Sequence, residues 1–148
     1  MGPFDRAWML RLHREMFGMV WSWAGQTRTT DGLRIGIRAY QIEPALEELA
    51  RDTEHWRTVG GDLIEQCAML HWRAVRIHPF LNGNGRWARL LASIWAKQNG
   101  GPVTEWPADV RESSIIRATY IAAIQAADSG DMEPIIRLHR DYSQTGAP

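Results

Sequence analysis

Apolar residues recur at helical spacing along almost the whole chain, and this recurrence is the feature that most constrains its fold. The clearest stripe falls at positions i, i+3, i+4, i+7 and i+8 and comprises Trp87, Leu90, Leu91, Ile94 and Trp95. A stripe with this period covers one face of an amphipathic helix, which must be buried against other elements. A chain of 148 residues with 45% hydrophobic content has room for one core. We therefore expect a single all-α domain over residues 1–148, built from about six helices.

Capping residues and glycines predict where these helices begin and end. Asp5 and Asp62 have short polar side chains that accept hydrogen bonds from the first free N–H groups of a helix, and Glu65 completes a capping box with Asp62. Pro44 suits a first helical turn. The predicted helices cover about residues 6–24, 43–59, 62–77, 84–98, 108–127 and 132–142. The third ends at His78, where the helix dipole is expected to stabilise the protonated imidazole.

One segment departs from the helical pattern. Between about residues 28 and 38, the turn dipeptide Asp31-Gly32 is followed by apolar residues that alternate with other types. The alternating residues are Leu33, Arg34, Ile35, Gly36, Ile37 and Arg38. Alternation with a period of two is typical of a β-strand, and Asp-Gly is a common hairpin turn. The sequence thus predicts one small β-hairpin within the helical domain.

A twelve-residue segment concentrates the groups expected of a phosphate-binding site. Residues 78–89 read His-Pro-Phe-Leu-Asn-Gly-Asn-Gly-Arg-Trp-Ala-Arg and lead directly into the clearest apolar stripe. Gly83 and Gly85 lie at the helix N-terminus, where free N–H groups and the helix dipole favour an anion. Arg86 and Arg89 are three positions apart on one helix face, so both can reach a polyphosphate. The histidine that begins the segment suits a proton acceptor near neutral pH.

Each of these features also has an ordinary structural explanation. Asn-Gly is a common turn dipeptide, arginines on a helix are usually solvated, and a histidine before proline often ends a helix. Their combination within twelve positions is what favours a functional site.

This segment resembles the Fic/Doc motif, His-Xaa-Phe-Xaa-[Asp/Glu]-Gly-Asn-Gly-Arg-Xaa-Xaa-Arg, at every specified position except Asn82, where the family usually has an acid. The likeness extends over nearly the whole chain. Residues 16–28, which contain Trp21-Ser22-Trp23-Ala24-Gly25, resemble the family's opening segment, and residues 120–138 resemble its closing helix. The sequence is most similar to the bacterial Fic-domain subgroup labelled mobile mystery protein B.

The resemblance implies transfer of AMP from ATP to a Ser, Thr or Tyr hydroxyl of a target protein. In that mechanism His78 is the catalytic base, and Phe80 is a buried structural anchor of the loop. The residues implied in nucleotide and phosphate binding are Gly83, Asn84, Gly85, Arg86 and Arg89. The hairpin corresponds to a flap that holds the target segment by strand addition through Leu33, Arg34, Ile35, Gly36 and Ile37.

The departure at Asn82 bears on the metal cofactor, because the family acid binds the Mg²⁺ that bridges the phosphates. An asparagine offers only a neutral oxygen, so we expect weaker Mg²⁺ binding with activity retained. Two alternative functions remain open. One is protein phosphorylation, as in Doc-like members, although their lysine near the position of Gly85 is absent here. The other is a nucleotide-binding toxin–antitoxin module whose turnover is weakened at Asn82.

Composition and the remaining motifs limit the kinds of partner that this chain is expected to have. The formal net charge is zero, which argues against nucleic acid, and no apolar run approaches the roughly 20 residues of a membrane span. The single cysteine, Cys67, is expected in the core of a cytoplasmic protein. The family's inhibitory motif has its nearest match at residues 129–133, but a proline follows it. Inhibition is therefore expected from an upstream segment or from a separate antitoxin protein, and without either the domain should be constitutively active.

Histidines outside the motif have no assigned role. His71 and His78 are seven positions apart on one helix face, but two histidines do not make up the ligand set of a metal, so no metal site is predicted there. No partner can be named for His13, His55 or His139. The tryptophans at helical spacing are expected to pack in the core.

Overall fold

The computed structural model describes residues 4–31, 35–111 and 114–143. These residues form six α-helices and include no β-strand, in agreement with the predicted all-α class. The helices are α1 (Arg6–Phe17), α2 (Ile42–Val59), α3 (Leu63–Ile77), α4 (Asn84–Gln98), α5 (Ile115–Asp128) and α6 (Glu133–Ser143). Two short 3-10 helices, Ala39–Gln41 and Ala108–Arg111, precede α2 and α5. None of the helices within these ranges has both the length and the apolar character to cross a membrane.

Local capping determines where two of the helices begin. The Asp5 carboxylate accepts a hydrogen bond from the Trp8 N–H at 2.8 Å, and the Asp62 carboxylate accepts one from the Glu65 N–H at 3.0 Å. Each bond satisfies an N–H group that has no partner within its own helix. Both predicted starts are thereby confirmed.

Helix α1 is shorter than the periodicity predicts. It ends at Phe17, and the backbone then turns, with the Trp21 N–H donating to the Phe17 carbonyl at 2.9 Å. The turn lets the Trp21 ring stack on the Trp23 ring, with centroids 4.7 Å apart, and both rings lie beside the His13 imidazole. Aromatic packing against the end of α1 therefore replaces the additional helical turns that were expected.

The helix predicted over residues 108–127 is divided into a 3-10 helix and α5. Ser114 lies between them in an extended conformation. Its hydroxyl accepts a hydrogen bond from the Arg117 N–H at 3.1 Å and donates to the Asp109 carbonyl at 3.0 Å. Serine often binds neighbouring backbone groups in this way, which favours a helix start over a helix interior. The two hydrogen bonds explain why the predicted helix is interrupted.

The core is organised around α3, which packs against α2, α4, α5 and α6. The largest fully buried residues of this core include Met9, Leu46, Leu49, Leu70, Phe80, Trp87, Leu91 and Trp95. Cys67 belongs to the same core, as predicted, and burial raises the pKa of its thiol to about 12. A second, smaller cluster joins α3 to α5 and α6 through Ala68, Ala123, Ala127 and Ile135. The end of α3 and the start of α4 are thus fixed by one continuous core.

The predicted β-hairpin is wrong for the part of it that is described. Residues 28–31 and 35–38 contain no strand, while Leu33 and Arg34 lie outside the described residues. Arg28 is only 4% exposed, and its guanidinium donates to the Thr30 carbonyl at 2.9 Å and to the Ile37 carbonyl at 2.5 Å. The two limbs are thus joined through the Arg28 side chain, and the Arg28 N–H donates to the Pro79 carbonyl at 2.8 Å rather than to the other limb.

Candidate active site

A cavity of 540 Å³ brings together all the motif residues that were predicted to act on a nucleotide. These are His78, Asn82, Gly83, Asn84, Gly85, Arg86 and Arg89. Arg117 and Tyr120 of helix α5 also line this cavity, as does Ile35. A larger cleft of 680 Å³ lies between α2 and α3, but it contains none of the motif residues. The smaller cavity, called the motif cleft below, is the better candidate because its polar groups converge.

His78 is held at the end of α3 in a strained backbone conformation. Its φ of 51° is left-handed, its N–H donates to the Ala74 carbonyl at 3.1 Å, and its own carbonyl accepts from Arg28 Nε at 2.7 Å. A non-glycine residue rarely adopts this conformation, and it persists here because both backbone groups of His78 are bonded. The strain therefore coincides with the residue expected to perform the chemistry.

The electrostatic surroundings of His78 favour its neutral form. Burial lowers the pKa of the imidazole, and the positive charge of Arg28 lowers it further, while the Val75 carbonyl acts in the opposite direction. This corrects the expectation that the helix dipole would stabilise the protonated ring. The ring Nδ1 is buried and makes no hydrogen bond to the described residues. A neutral imidazole is able to accept a proton near pH 7.

The start of α4 provides free N–H groups beside His78. The first backbone bond of the helix runs from the Trp87 N–H to the Gly83 carbonyl at 3.0 Å, so the N–H groups of residues 84–86 precede the hydrogen-bonded ladder. Gly83 has a φ of 79°, and a Cβ at this position would lie 2.7 Å from the Phe17 ring. Only glycine fits both the conformation and the space. The geometry suits an anion at the helix N-terminus.

Asn84 lines the motif cleft and also closes the loop with its side chain. Its Oδ1 accepts from the Phe80 N–H at 2.9 Å, and its Nδ2 donates to the Phe80 carbonyl at 2.8 Å. One Nδ2 hydrogen is used in this pair and the amide has a second, so the contact of this side chain with a phosphate stays a prediction. Phe80 is fully buried, as expected of an anchor, and stacks on His13 with ring centroids 3.7 Å apart.

The two motif arginines occupy different environments. Arg86 is exposed, and its guanidinium lies 4.6 Å from the centre of the Phe17 ring. Arg89 is only 9% exposed and donates to the Tyr120 hydroxyl at 3.4 Å. No carboxylate forms an ion pair with Arg89 among the described residues. A buried cation without a counterion is costly, so this position favours a bound anion.

Asn82 is the one motif position where a metal could find a protein oxygen. Its side chain is exposed, and its Oδ1 accepts from the Gly83 N–H at 2.7 Å, which leaves this oxygen a second lone pair. No group of three His, Cys, Asp or Glu residues that could hold a metal occurs in the described part of the chain. The donor set fits Mg²⁺ that is bound mainly by phosphate oxygens and water.

Several residues in or beside the site lie outside the twelve-residue motif. His13 accepts from the Gly25 N–H at 3.0 Å through Nδ1, so its Nε2–H donates to the Asn82 carbonyl at 3.0 Å. Tyr120 reaches the cleft from α5, and Arg28 contacts His78 from the segment before α2. These partners are far from the motif in sequence, so local patterns could not have identified them.

The nearest match to the inhibitory motif does not reach the cleft. Glu133 begins α6 and pairs with Arg137 at 3.9 Å, one turn along the same helix. It is not among the residues that line the motif cleft. The expectation that Glu133 is not an inhibitor agrees with this placement.

Comparison with known proteins gives consistent matches. A family model described as the Fic/DOC family matches residues 3–96. Protein adenylyltransferase fic-1 of Caenorhabditis briggsae is 33% identical over 141 residues, which are 92% of this chain and 26% of that protein. Protein adenylyltransferase Fic of Drosophila virilis is 27% identical over 140 residues, again 92% of this chain but 28% of the relative. The chain therefore spans about a quarter of the length of these curated relatives.

Solved structures share the fold. A fragment of Fic-1 from C. elegans superposes with a TM-score of 0.79 at 31% identity, over 91% of this chain and 39% of the fragment. The BepC protein from Bartonella tribocorum, crystallised with AMPPNP, gives a TM-score of 0.74 at 23% identity over 95% of this chain and 74% of that one. The second likeness concerns the fold alone.

Proposed function

Because the chain belongs to the Fic/DOC family, we propose that the motif cleft transfers AMP from ATP to a Ser, Thr or Tyr hydroxyl of a target protein. The observation that carries this proposal is the juxtaposition in one cavity of a neutral His78, free N–H groups at the start of α4 and the unpaired Arg89. The chain is similar to proteins named adenylyltransferases over most of its length.

His78 acts as the general base in this reaction. The hydroxyl oxygen of the target forms a bond to the α-phosphorus of ATP while the bond from that phosphorus to the bridging oxygen breaks. Pyrophosphate leaves, and the hydroxyl proton passes to the imidazole of His78. The lowered pKa of His78 keeps the ring ready to accept that proton near neutral pH.

The phosphate chain lies at the N-terminus of α4. The N–H groups of residues 84–86 and the helix dipole stabilise the negative charge that develops during transfer. Arg86 is exposed, so its side chain is free to move with the phosphates that it binds. Arg89 is buried and binds the terminal phosphate from a fixed position. Asn84 contributes its backbone N–H and closes the loop with its side chain.

Mg²⁺ is the proposed metal cofactor, and Asn82 is the residue that would contact it. When bound to the triphosphate, Mg²⁺ would neutralise phosphate charge. A single neutral oxygen is a weak ligand, so most of the affinity comes from the phosphates. We therefore expect Asn82→Asp to lower the Mg²⁺ concentration that gives the half-maximal rate. An unchanged Mg²⁺ requirement in this variant would contradict a metal-binding role for this position.

The segment before α2 is proposed to hold the target. Ile35 is 55% exposed at the edge of the motif cleft, and Ile35, Gly36 and Ile37 line an adjoining cavity of 390 Å³. Leu33 and Arg34, which were also predicted to hold the target, lie outside the described residues. Since Arg28 occupies the Ile37 carbonyl, pairing with a target strand would use the other backbone groups of the segment.

Labelled nucleotides test the proposed reaction. The purified protein is incubated with a desalted soluble lysate and either α-³²P or γ-³²P ATP, with and without Mg²⁺. We expect α-label to enter protein in a Mg²⁺-dependent manner, and His78→Ala to abolish this transfer. His55→Ala is the matched control, because His55 is exposed on α2 and does not line the cleft.

The same experiment distinguishes the two alternative functions. Entry of γ-label that depends on His78 would indicate a Doc-like kinase, although the loop lacks the lysine of those members. Binding of ATP without transfer of either label would indicate a nucleotide-binding toxin–antitoxin module.

Regulation and location complete the proposal. No carboxylate pairs with Arg89 in the described ranges, so an inhibitory acid would come from another segment or from a separate antitoxin protein. The buried, unreactive Cys67 is compatible with a reducing cytoplasm in bacteria. Co-purification of the protein with the product of a neighbouring gene would test the antitoxin.

A further inference from the structure

A continuous line of buried polar side chains leads away from Arg89 through the interior of the domain. Arg89 donates to the Tyr120 hydroxyl at 3.4 Å, this hydroxyl lies 2.9 Å from His71 Nε2, and His71 Nδ1 lies 2.8 Å from His139 Nε2. His139 Nδ1 in turn lies 3.0 Å from Thr104 Oγ1. The line crosses α4, α5, α3 and α6, and all five residues are buried. We call these five residues the polar relay.

The hydrogen bonds of the polar relay have one preferred direction. Arg89 can only donate, so the Tyr120 oxygen accepts from it and the Tyr120 O–H is free to donate to His71 Nε2. His71 then donates through Nδ1 to His139 Nε2, and His139 donates through Nδ1 to Thr104. In the reverse direction the Tyr120 hydrogen would have no acceptor within the relay. Each link thus has one hydrogen and one lone pair only if both histidines are neutral.

Burial keeps both histidines neutral. It lowers the pKa of His71 well below the ordinary value, with further lowering by His139 and Arg89, and it lowers the pKa of His139 to about 3. Burial also raises the pKa of the Tyr120 hydroxyl, which therefore remains a donor. The relay holds no carboxylate, so nothing in it compensates the charge of Arg89.

We propose that the polar relay positions Arg89 for the terminal phosphate of the nucleotide while leaving its positive charge intact. A carboxylate partner would fix the guanidinium equally well, but it would neutralise the charge that the phosphate needs. Neutral partners supply orientation alone. Tyr120 is the link that contacts Arg89, and the histidines and Thr104 hold the Tyr120 hydroxyl in place. The inference rests on the proposed function, because it assigns Arg89 to a nucleotide.

Nucleotide binding measured by calorimetry tests the relay. The ligands are α,β-methylene ATP, whose α–β bridge cannot be cleaved, and AMP, which has no terminal phosphate for Arg89 to bind. We expect Tyr120→Phe to weaken binding of the ATP analogue about tenfold, the value of one hydrogen bond to a charged group, and to leave AMP binding unchanged. Tyr40→Phe is the matched control, because Tyr40 is 75% exposed and does not line the motif cleft.

A double-mutant cycle separates positioning from general disruption. In an Arg89→Ala background, Tyr120→Phe should have no further effect on the ATP analogue, since the residue it orients is gone. Thr104→Val tests the far end of the relay and should weaken the analogue about threefold, whereas Thr104→Ser should behave as wild type.

Three results would overturn the relay. They are unchanged binding of the ATP analogue by Tyr120→Phe, equal weakening of the analogue and AMP, and additive effects of Tyr120→Phe and Arg89→Ala. Failure of the wild-type protein to bind either nucleotide would overturn the proposed function together with the relay. A thermal melt of each variant verifies that it is folded.

Discussion

Acid should destabilise this protein through its buried histidines, and His139 allows the size of the effect to be worked out. Its pKa is about 3 in the folded protein against 6.5 ordinarily. As the pH falls below 6.5, the His139 imidazole becomes protonated in the unfolded state. In the folded state it stays neutral until about pH 3. The stabilising contribution of His139 is therefore complete above pH 6.5 and is lost as the pH falls through that interval.

The loss can be expressed as free energy. Each pH unit within the interval costs about 1.4 kcal/mol for one such histidine, so His139 should account for about 2 to 3 kcal/mol between pH 7.5 and pH 4.5. Domains of this size have a total stability of about 5 to 15 kcal/mol. One side chain thus controls a substantial share of the acid sensitivity.

Urea unfolding at a series of pH values measures this contribution. His139→Gln removes the titration, and we expect it to be less stable than wild type at pH 7.5 because the hydrogen bonds to His71 and Thr104 are disturbed. The difference in unfolding free energy between wild type and His139→Gln should be about 2 to 3 kcal/mol smaller at pH 4.5 than at pH 7.5. Exposed His55→Gln is the control for the substitution itself. A gap of constant size between wild type and His139→Gln would refute the reasoning.

Three further predictions concern the loop, the cysteine and the base. Gly83→Ala should lower the unfolding free energy by about 2 kcal/mol more than Gly100→Ala in thermal denaturation, because both glycines have a φ near 79° but only Gly83 would bring a Cβ within 2.7 Å of the Phe17 ring; equal losses would contradict this. Cys67, buried and with a pKa of about 12, should not react with a thiol reagent such as dithionitrobenzoate until urea unfolds the protein, and rapid native reaction would argue against its burial. The lowered pKa of His78 should hold the transfer rate at its plateau when the pH falls to about 6.5, with the decline only below it, whereas a half-maximal rate above pH 6.5 would contradict this shift.

Features that depend on neighbours three or four positions apart could be predicted from the sequence. The caps at Asp5 and Asp62 each bind an N–H three positions ahead, and the helical stripe of α4 has the same short range. The motif residues also gather in one cavity, because α3 ends at Ile77, just before His78, and α4 begins at Asn84. Local spacing is enough to bring His78, the proposed base, and the N-terminus of α4 to one place.

Features that depend on distant partners could not be predicted. The hydrogen bond between His13 and the Asn82 carbonyl joins residues 69 positions apart, and the bond between His71 and His139 spans 68. The hairpin prediction failed for the same reason, since the alternating pattern is real but the backbone and side chain of Arg28 bind Pro79, Thr30 and Ile37 instead of forming a strand pair. Periodicity describes the surface that a segment presents, whereas these contacts depend on what packs against it.

Arg28 joins the segment before α2 to the end of α3. Its guanidinium binds the Thr30 and Ile37 carbonyls on one side and the Ile77 and His78 carbonyls on the other. The surface proposed to hold the target is therefore joined to the backbone of His78, the proposed base, through one side chain. If both proposals hold, a target that displaces this segment would also displace His78. Attempts to redirect the protein by exchanging this segment should keep Arg28, because a graft without it would change the rate as well as the preference.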